Sequence, residues 1–475
     1  MKTRVLIGSL AATGLALGLG QMHANAVPGG EGDPQGAPSG PDVIVGDLPD
    51  VARYAAATFN GVQYASYAIG STSCNVGDTQ LQWQPMPSTN HPTIPQNMYR
   101  IKDGAIEQIG LSWCKHGFCA LQQNICGPCT PAGSGCPTVL GIGCSDPYTA
   151  SLNGAQSDLK SRGAINPSTG VFPSNYTDPA ANSSMPNSLR ERLIVARTDL
   201  DAASNAGAKY VAECQYVHPE DAASGNGNNN ASYRFINVGT TWGTQGYSLS
   251  FAAPTVRQVP AIFAWRAVHS DVVIRDVDVA GDGRFHVAFR ATDNGDGTWH
   301  YEYAIQNLNS HRAGGSFSVP IPAGVTVSNV GFKSPKYLNN EGYTNADWTV
   351  TQTAGALTWT CEPNSNANAN ALRWSTLYNF RFDADAEPGA VTAALGLWRA
   401  PTSGSPAISM PVATVGPIPT TPPCITGDLN CDGVVDGIDL GVLLANWGSS
   451  NPAADLNGDN FVDGQDLGAL LAVWG

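Results

Sequence analysis

The chain of 475 residues carries a formal net charge of −14, with 53 Gly, 33 Pro and only 13% charged residues. Such a composition belongs to an exported, loop-rich, mainly β protein, and the absence of any basic stripe excludes a nucleic-acid partner. After Ala26 no stretch reaches the ~18 apolar residues that a spanning helix requires, which excludes membrane embedding.

At the start, Lys2 and Arg4 precede an apolar run from Val5 to Gly20, and Ala24-Asn25-Ala26 forms an A-x-A cleavage site before Val27. Residues 1–26 therefore read as a secretory signal peptide, and the expected location is secreted, extracellular or attached to a cell surface. Residues 27–44, rich in Gly and Pro without periodicity, read as a flexible leader. A Pro-rich linker is expected at 401–423, where PVATVGPIPTTPP favours an extended chain. The intervening ~355 residues exceed what one core normally serves. Two units are expected: a β-rich, Cys-containing domain at 45–245 and a β-sandwich domain at 246–400.

In the first unit GVQYASYAIG, LQWQPM, NMYRIKDGAIEQIG, RLIVARTDL and AKYVAECQYV read as strands. The segments 145–190 and 219–232 are too rich in Asn, Gly, Ser and Pro for regular elements, and loops of that length are often functional. In the second unit Phe285, Val287 and Phe289 alternate onto one face, DNGDG turns the chain, and Trp299, Tyr301, Tyr303 and Ile305 alternate on the return. His286 and His300 fall on the opposite face and read as surface residues. Further strands are expected at 316–319, 325–332, 348–353, 356–361, 374–382 and 391–398, a spacing typical of a sandwich.

Eleven cysteines in an exported chain imply disulfides. Six of them (Cys114, Cys119, Cys126, Cys129, Cys136 and Cys144) crowd one short segment, with His116 between the first two. That spacing invites a zinc or metal-dependent redox reading, but oxidising surroundings favour a disulfide knot. Cys424 and Cys431 are placed to close a small ring. Cys74, Cys214 and Cys361 are left over, and the odd total requires a free or intermolecular thiol.

No G-x-S-x-G elbow, phosphate-binding loop or paired-histidine metal motif occurs in the body. Glycoside hydrolysis would need two facing carboxyl groups, one of raised pKa. The carboxylates nearest aromatic or loop-rich sequence are Glu107, Asp146, Glu213, Glu220 and Asp221. Glu213, Asp146 and Glu107 are the catalytic candidates, with Glu213 foremost because it sits on a predicted strand beside Cys214 and near His218. Each also has an ordinary reading as a turn or surface carboxylate.

The C-terminal segment from Cys424 onward carries the sharpest signal. Asp428–Gly448 (DLNCDGVVDGIDLGVLLANWG) and Asp455–Gly475 (DLNGDNFVDGQDLGALLAVWG) align without a gap and are identical at 15 of 21 positions. Oxygen-bearing residues fall at loop positions 1, 3, 5, 9 and 12, the spacing of an EF-hand-type calcium loop. The expected ligands are Asp428, Asn430, Asp432, Asp436 and Asp439 with the carbonyl of Val434, and Asp455, Asn457, Asp459, Asp463 and Asp466 with the carbonyl of Phe461. Two Ca2+ ions are thus expected. Position 6 demands a positive φ, which Gly433 and then Asn460 supply. Each loop runs into a short apolar helix containing Leu440, Leu443, Leu444 and Trp447, or Leu467, Leu470, Leu471 and Trp474. Eight Asp and no Lys or Arg in this segment make ion binding part of its folding free energy.

A duplicated calcium half-hand at the C-terminus of an exported chain resembles the type I dockerin family over residues 424–475. The resemblance implies a calcium-folded module that docks onto a cohesin domain and, in most cases, attaches polysaccharide-degrading enzymes to an extracellular complex. Partner contacts of that family centre on loop positions 10 and 11, here Gly437-Ile438 and Gly464-Gln465 in place of the common Ser-Thr. The body is similar to uncharacterised secreted proteins of dockerin-bearing bacteria, a likeness that brings no chemistry with it. The expected function is attachment to a cohesin-like partner with a body acting in polysaccharide degradation by O-glycosyl hydrolysis; the alternative is a non-catalytic glycan-binding or structural surface protein.

Overall fold

The computed structural model describes residues 39–174, 184–339, 341–401, 407–418 and 424–475. The expected signal peptide, most of the leader and parts of the linker lie outside them. Strand accounts for 38% of the chain and helix for 11%, so the fold is mainly β, in several sheets held by four disulfides. Among the described residues no helix is long and apolar enough to cross a membrane.

The first half is built on a nine-stranded antiparallel sheet. Its path runs from Leu249–Phe251 through Ala231–Val238, Lys209–Gln215, Gln96–Lys102, Ala105–Leu111, Leu193–Ala196 and Val62–Ile69 to Val51–Arg53, with Ala57–Phe59 also paired to Val62–Ile69. Strand side chains alternate between faces, and the strand Lys209–Gln215 shows what each face does. Tyr210, Ala212 and Cys214 enter a core shared with a three-stranded sheet of Val43–Asp47, Ser71–Asn75 and Ser145–Tyr148. Val211 points the other way, into a core completed by the helix Ile262–Val268 and by Ala288, Ala304 and Leu377 of the second half.

The second half is a β-sandwich of two five-stranded antiparallel sheets. One contains Val273–Asp278, Arg284–Asp293, Trp299–Asn307, Thr376–Ala384 and Val327–Lys333, in that order; the other contains Thr349–Gln352, Ala356–Thr360, Gly314–Pro320, Pro388–Leu397 and Ser409–Pro417. Phe285, Tyr303, Phe317, Trp359, Phe380 and Phe382 fill the space between them, with aromatic pairs such as Phe317–Phe380 at 5.1 Å. Ala288 and Ala304 are cross-strand partners on the outer face of the first sheet. Their small side chains let the first half approach closely.

Several expectations are corrected. His286 is 3% exposed because the outer face of its sheet is covered by the first half; it bonds Asp276 at 2.8 Å and packs against Phe263. Residues 409–417 form a sandwich strand, not linker: Val412 turns into the core, and prolines are tolerated because this strand lies at the sheet edge. The leader ends before Val43 and Ile44, which already pair in a strand. Leu249–Phe251 belongs to the first sheet, which moves the division past residue 245. The knot uses Cys74–Cys126, Cys119–Cys136 and Cys129–Cys144, so Cys114, not Cys74, stands outside the disulfides together with Cys214 and Cys361, and all three are buried. Cys424–Cys431 closes its ring as expected.

The seam between the halves is sensitive to added volume. Ala304→Leu inserts methyl groups between two covered sheets and is expected to cost about 1–3 kcal/mol in urea unfolding. Val350→Leu on an exposed edge is expected to change stability by less than about 0.5 kcal/mol.

Candidate functional site

The two tail loops fold alike. At position 6 Gly433 has φ +91° and Asn460 φ +68°, as the turn requires. Asp428 accepts hydrogen bonds from the N–H of Asp432 at 3.1 Å and Gly433 at 2.8 Å, and Asp455 accepts from Asp459 at 3.1 Å and Asn460 at 2.7 Å. These bonds wind each loop around its first carboxylate.

Asp436 and Asp463 cap the helices Gly437–Ala445 and Gly464–Ala472, each in a reciprocal capping box with Asp439 or Asp466. The helices thus start before the first leucine of the apolar pattern, at Gly437 and Gly464. Asp439 and Asp466 also accept from the loop N–H groups of Leu429 and Asn430, and of Leu456 and Asn457. Val435, Leu443, Ala454, Val462 and Leu470 make a common small core. The loops are cross-linked in a two-fold manner, Gly448 N to Val462 O at 2.9 Å and Gly475 N to Val435 O at 3.1 Å.

All side-chain donors in this set are oxygens, the chemistry that suits a hard cation. Among the described residues no group of three or more His, Cys, Asp or Glu side chains is gathered closely enough to hold a metal as it stands. The carboxylates are turned instead onto their own loop amides. Val434 and Phe461 are exposed at position 7, and Gly437, Ile438, Gly464 and Gln465 lie at the helix starts, with Ile438 and Gln465 exposed. Leu444, Trp447, Leu471 and Trp474, expected within the apolar helices, are each about half exposed, and the helices end at Ala445 and Ala472, before the two tryptophans.

The three catalytic candidates are not brought together. Glu213 is fully buried in the seam between the halves. Its oxygens accept from Asn97 at 2.9 Å, Tyr99 at 2.7 Å, Gln306 at 3.0 and 3.2 Å, and the Ala261 N–H. A carboxylate so enclosed has no path to a substrate. Asp146 lies beside the disulfide knot, accepting from Trp83 Nε1 at 2.9 Å and Leu121 N at 2.8 Å. Burial raises its pKa to about 7. Glu220 is spent on Gln82 N, and Asp221 on Val43 N and Asn230.

Of the three catalytic candidates, Glu107 alone reaches a groove. It pairs with Arg100 at 2.7 Å and approaches Arg381 at 3.6 Å, and the same Arg381 nitrogen is 3.8 Å from Glu302. The groove, of about 300 Å³, also contains His300, whose hydrogen bond to Glu302 and pairing with Asp383 raise its pKa against the effect of burial. Sequence reading missed Glu302 and Arg381. Their signal was the alternation itself, which puts Glu302 on the same strand face as His300.

Two further cavities bear on binding. A cleft of about 440 Å³ between the halves is lined by Asp221, Asn228, Asn230, Asp278, Asp282 and Asn309 among others. Tyr337, Tyr343 and Trp374 meet Arg162, Arg373 and Arg399 around a cavity of only about 10 Å³, room for a single water-sized occupant.

The expected zinc alternative fails on its ligands. Cys119, Cys126 and Cys129 are in disulfides, and His116 is hydrogen-bonded to His91 at 3.0 Å. Burial lowers the pKa of His91 to about 4 and that of His116 well below the ordinary value, so both imidazoles are neutral at pH 7.

Asp146 makes a pH prediction. Its folded pKa lies above its unfolded one, so the folded state holds the extra proton, and this group's contribution to stability falls as pH rises from about 4 to about 7. Asp146→Asn keeps an acceptor oxygen for one of the two donors, Trp83 and Leu121, and removes the titration, so it is expected to lower stability overall and to flatten that fall, read as melting temperature against pH at fixed calcium. No family model matches the sequence, and no curated protein is significantly similar to it.

Proposed function

We propose that this is an exported protein whose C-terminal repeat is a calcium-folded, dockerin-like module docking onto a cohesin-like partner, and whose body works on polysaccharide as a glycan-binding protein. The observation that carries the attachment reading is the duplicated loop. Both copies adopt the same backbone course, with positive φ at position 6 and a helix capped from position 9. Exposed Ile438, Leu444, Trp447, Phe461, Leu471 and Trp474 give the module an apolar surface out of proportion to its core, as expected of a docking face.

The twelve expected ligand residues would hold two Ca2+ ions, which supply the positive charge that eight clustered aspartates require. The chain itself supplies the wound loops and the capped helices, and binding redirects carboxylates that now face their own amides. Chelation is expected to abolish the tail's helical circular dichroism and calcium to restore it. Asp428→Ala combined with Asp455→Ala is expected to remove the calcium response. A spectrum indifferent to both treatments rules out the half-hand.

For the body, the enclosure of Glu213 and Asp146 supports binding over O-glycosyl hydrolysis. The 440 Å³ cleft offers amide and carboxylate groups that suit the hydroxyls of a neutral glycan. The groove shared by Glu107 and Glu302 favours the second reading, a glycoside hydrolase, because two carboxylates there flank one guanidinium. Incubating the full chain with soluble and insoluble polysaccharides separates them. Retention without release of reducing ends is expected. Release abolished by Glu107→Gln or Glu302→Gln would establish hydrolysis instead.

A further inference from the structure

We propose that the body holds a divalent-cation site of its own, formed by the carboxylates of Asp42 and Asp221 with the side-chain oxygens of Asn229 and Asn230. It lies where the loop 225–230 folds over the entrance to the strand Val43–Asp47. The proposal does not depend on the glycan reading or on the tail.

Both carboxylates are buried, and the charge of Asp42 acts on Asp221. Asp42 is 1% exposed and Asp221 fully enclosed. Val43 N, one peptide unit from Asp42, donates to Asp221 Oδ1 at 2.9 Å, which fixes the two acids as neighbours. The other donors that reach them are carboxamides: Asn229 Nδ2 to Asp42 Oδ2 at 3.1 Å and Asn230 Nδ2 to Asp221 Oδ2 at 2.7 Å. Among the described residues no Lys, Arg or His pairs with either acid.

Three oxygens remain. Asp42 Oδ1, Asn229 Oδ1 and Asn230 Oδ1 are buried and accept no hydrogen bond from the protein, although Asn229 is only 7% and Asn230 only 1% exposed. Each amide now faces its acid with the nitrogen, and a half-turn about its last side-chain bond puts the unsatisfied oxygen in that place, where it can join the acid in coordinating an ion. Buried acceptors without donors are costly, and buried charges without counter-charges more so.

Either protons or a cation must meet that cost. Burial pushes Asp42 up to about 6 and Asp221 up to about 8, the latter raised further by the charge of Asp42. One divalent ion beside the two acids would offset both charges and, with the amides half-turned, take the carboxamide oxygens as further ligands. An oxygen-only set selects a hard ion such as Ca2+ or Mg2+ over zinc. Asp221 and Asn230 also line the 440 Å³ cleft, which gives an ion and its remaining waters a way in. The segment 219–232, expected to lack regular elements, contains the helix Pro219–Ala223 and the start of the strand at Ala231, and the Asn-rich loop between them thereby gains a function.

The test counts calcium on the full-length protein after chelator treatment, by equilibrium dialysis with radioactive calcium at pH 7.5. Asp221→Asn is expected to bind one ion fewer than the wild type. A chain with Asp428→Ala and Asp455→Ala, which disables the tail loops, is expected to keep one ion and to melt at a higher temperature in calcium than in chelator. Adding Asn230→Ala to that chain should weaken the remaining site about 10-fold or more and reduce the thermal shift. A wild-type count in Asp221→Asn overturns the proposal. So does a tail-disabled chain that binds no calcium and melts alike in both conditions, since the acids then hold protons. If the tail substitutions leave the count unchanged, it is the tail reading that fails. Should Asp221→Asn not fold, the Asn230→Ala comparison decides.

Discussion

A guanidinium and a carboxylate, both buried and joined through one carboxamide, hold the two halves of the body in register. Arg162 donates to the carbonyls of Ser112, Gln96 and Ser375 and, at 3.0 Å, to Asn97 Oδ1. Asn97 then donates from Nδ2 to Glu213 at 2.9 Å and to Ser375 Oγ at 2.9 Å. Around this chain Gln108 accepts from Leu377 N, Asn379 donates to Ile106 O, and Gln215 donates to Leu308 O. Each of these last three bonds crosses from one half to the other. Any different docking would leave several buried polar groups unmade at about 1–3 kcal/mol apiece, so apolar contact supplies the adhesion and the polar seam supplies the uniqueness.

That seam explains what the sequence showed and what it hid. Period-two alternation identifies strands wherever one face is apolar, and the hairpin Arg284–Asp293 with Trp299–Asn307 follows it closely. The same rule misplaces His286 and Glu213, since a polar residue on the second face looks solvated unless another sheet is known to cover it. Burial on both faces is a tertiary fact, carried here by residues distant in sequence, such as Ala288, Ala304 and Val211. Ser409–Pro417 was hidden for a different reason. Pro411 and Pro417, on one short strand, resemble a linker when the edge that accommodates them cannot be seen.

The candidate sites divide along similar lines. Ligand spacing in the tail depends only on local sequence, so its loops and the turn at position 6 were legible, whereas the left-handed backbone at position 4, Cys431 and Gly458, was not read. The charged groove, by contrast, joins Glu107 of the first half to His300, Glu302 and Arg381 of the second. Cysteine pairing was only partly legible: the knot was recognisable by density, but Cys74 reaches into it from the preceding sheet and displaces Cys114.

All four disulfides span short stretches of chain, the longest covering 52 residues, and none joins one half of the body to the other or closes on the strand Ser409–Pro417. That strand has a single neighbour, Pro388–Leu397, and it is the last strand before the tail. Ser409–Pro417 is therefore a sheet edge secured by one ladder of backbone hydrogen bonds, the bond from Tyr303 Oη to Val415 O at 2.7 Å and the burial of Val412, with no covalent clamp. A pull on the residues beyond this strand would thus load the outermost strand of the sandwich first, ahead of the cystine-bound first half.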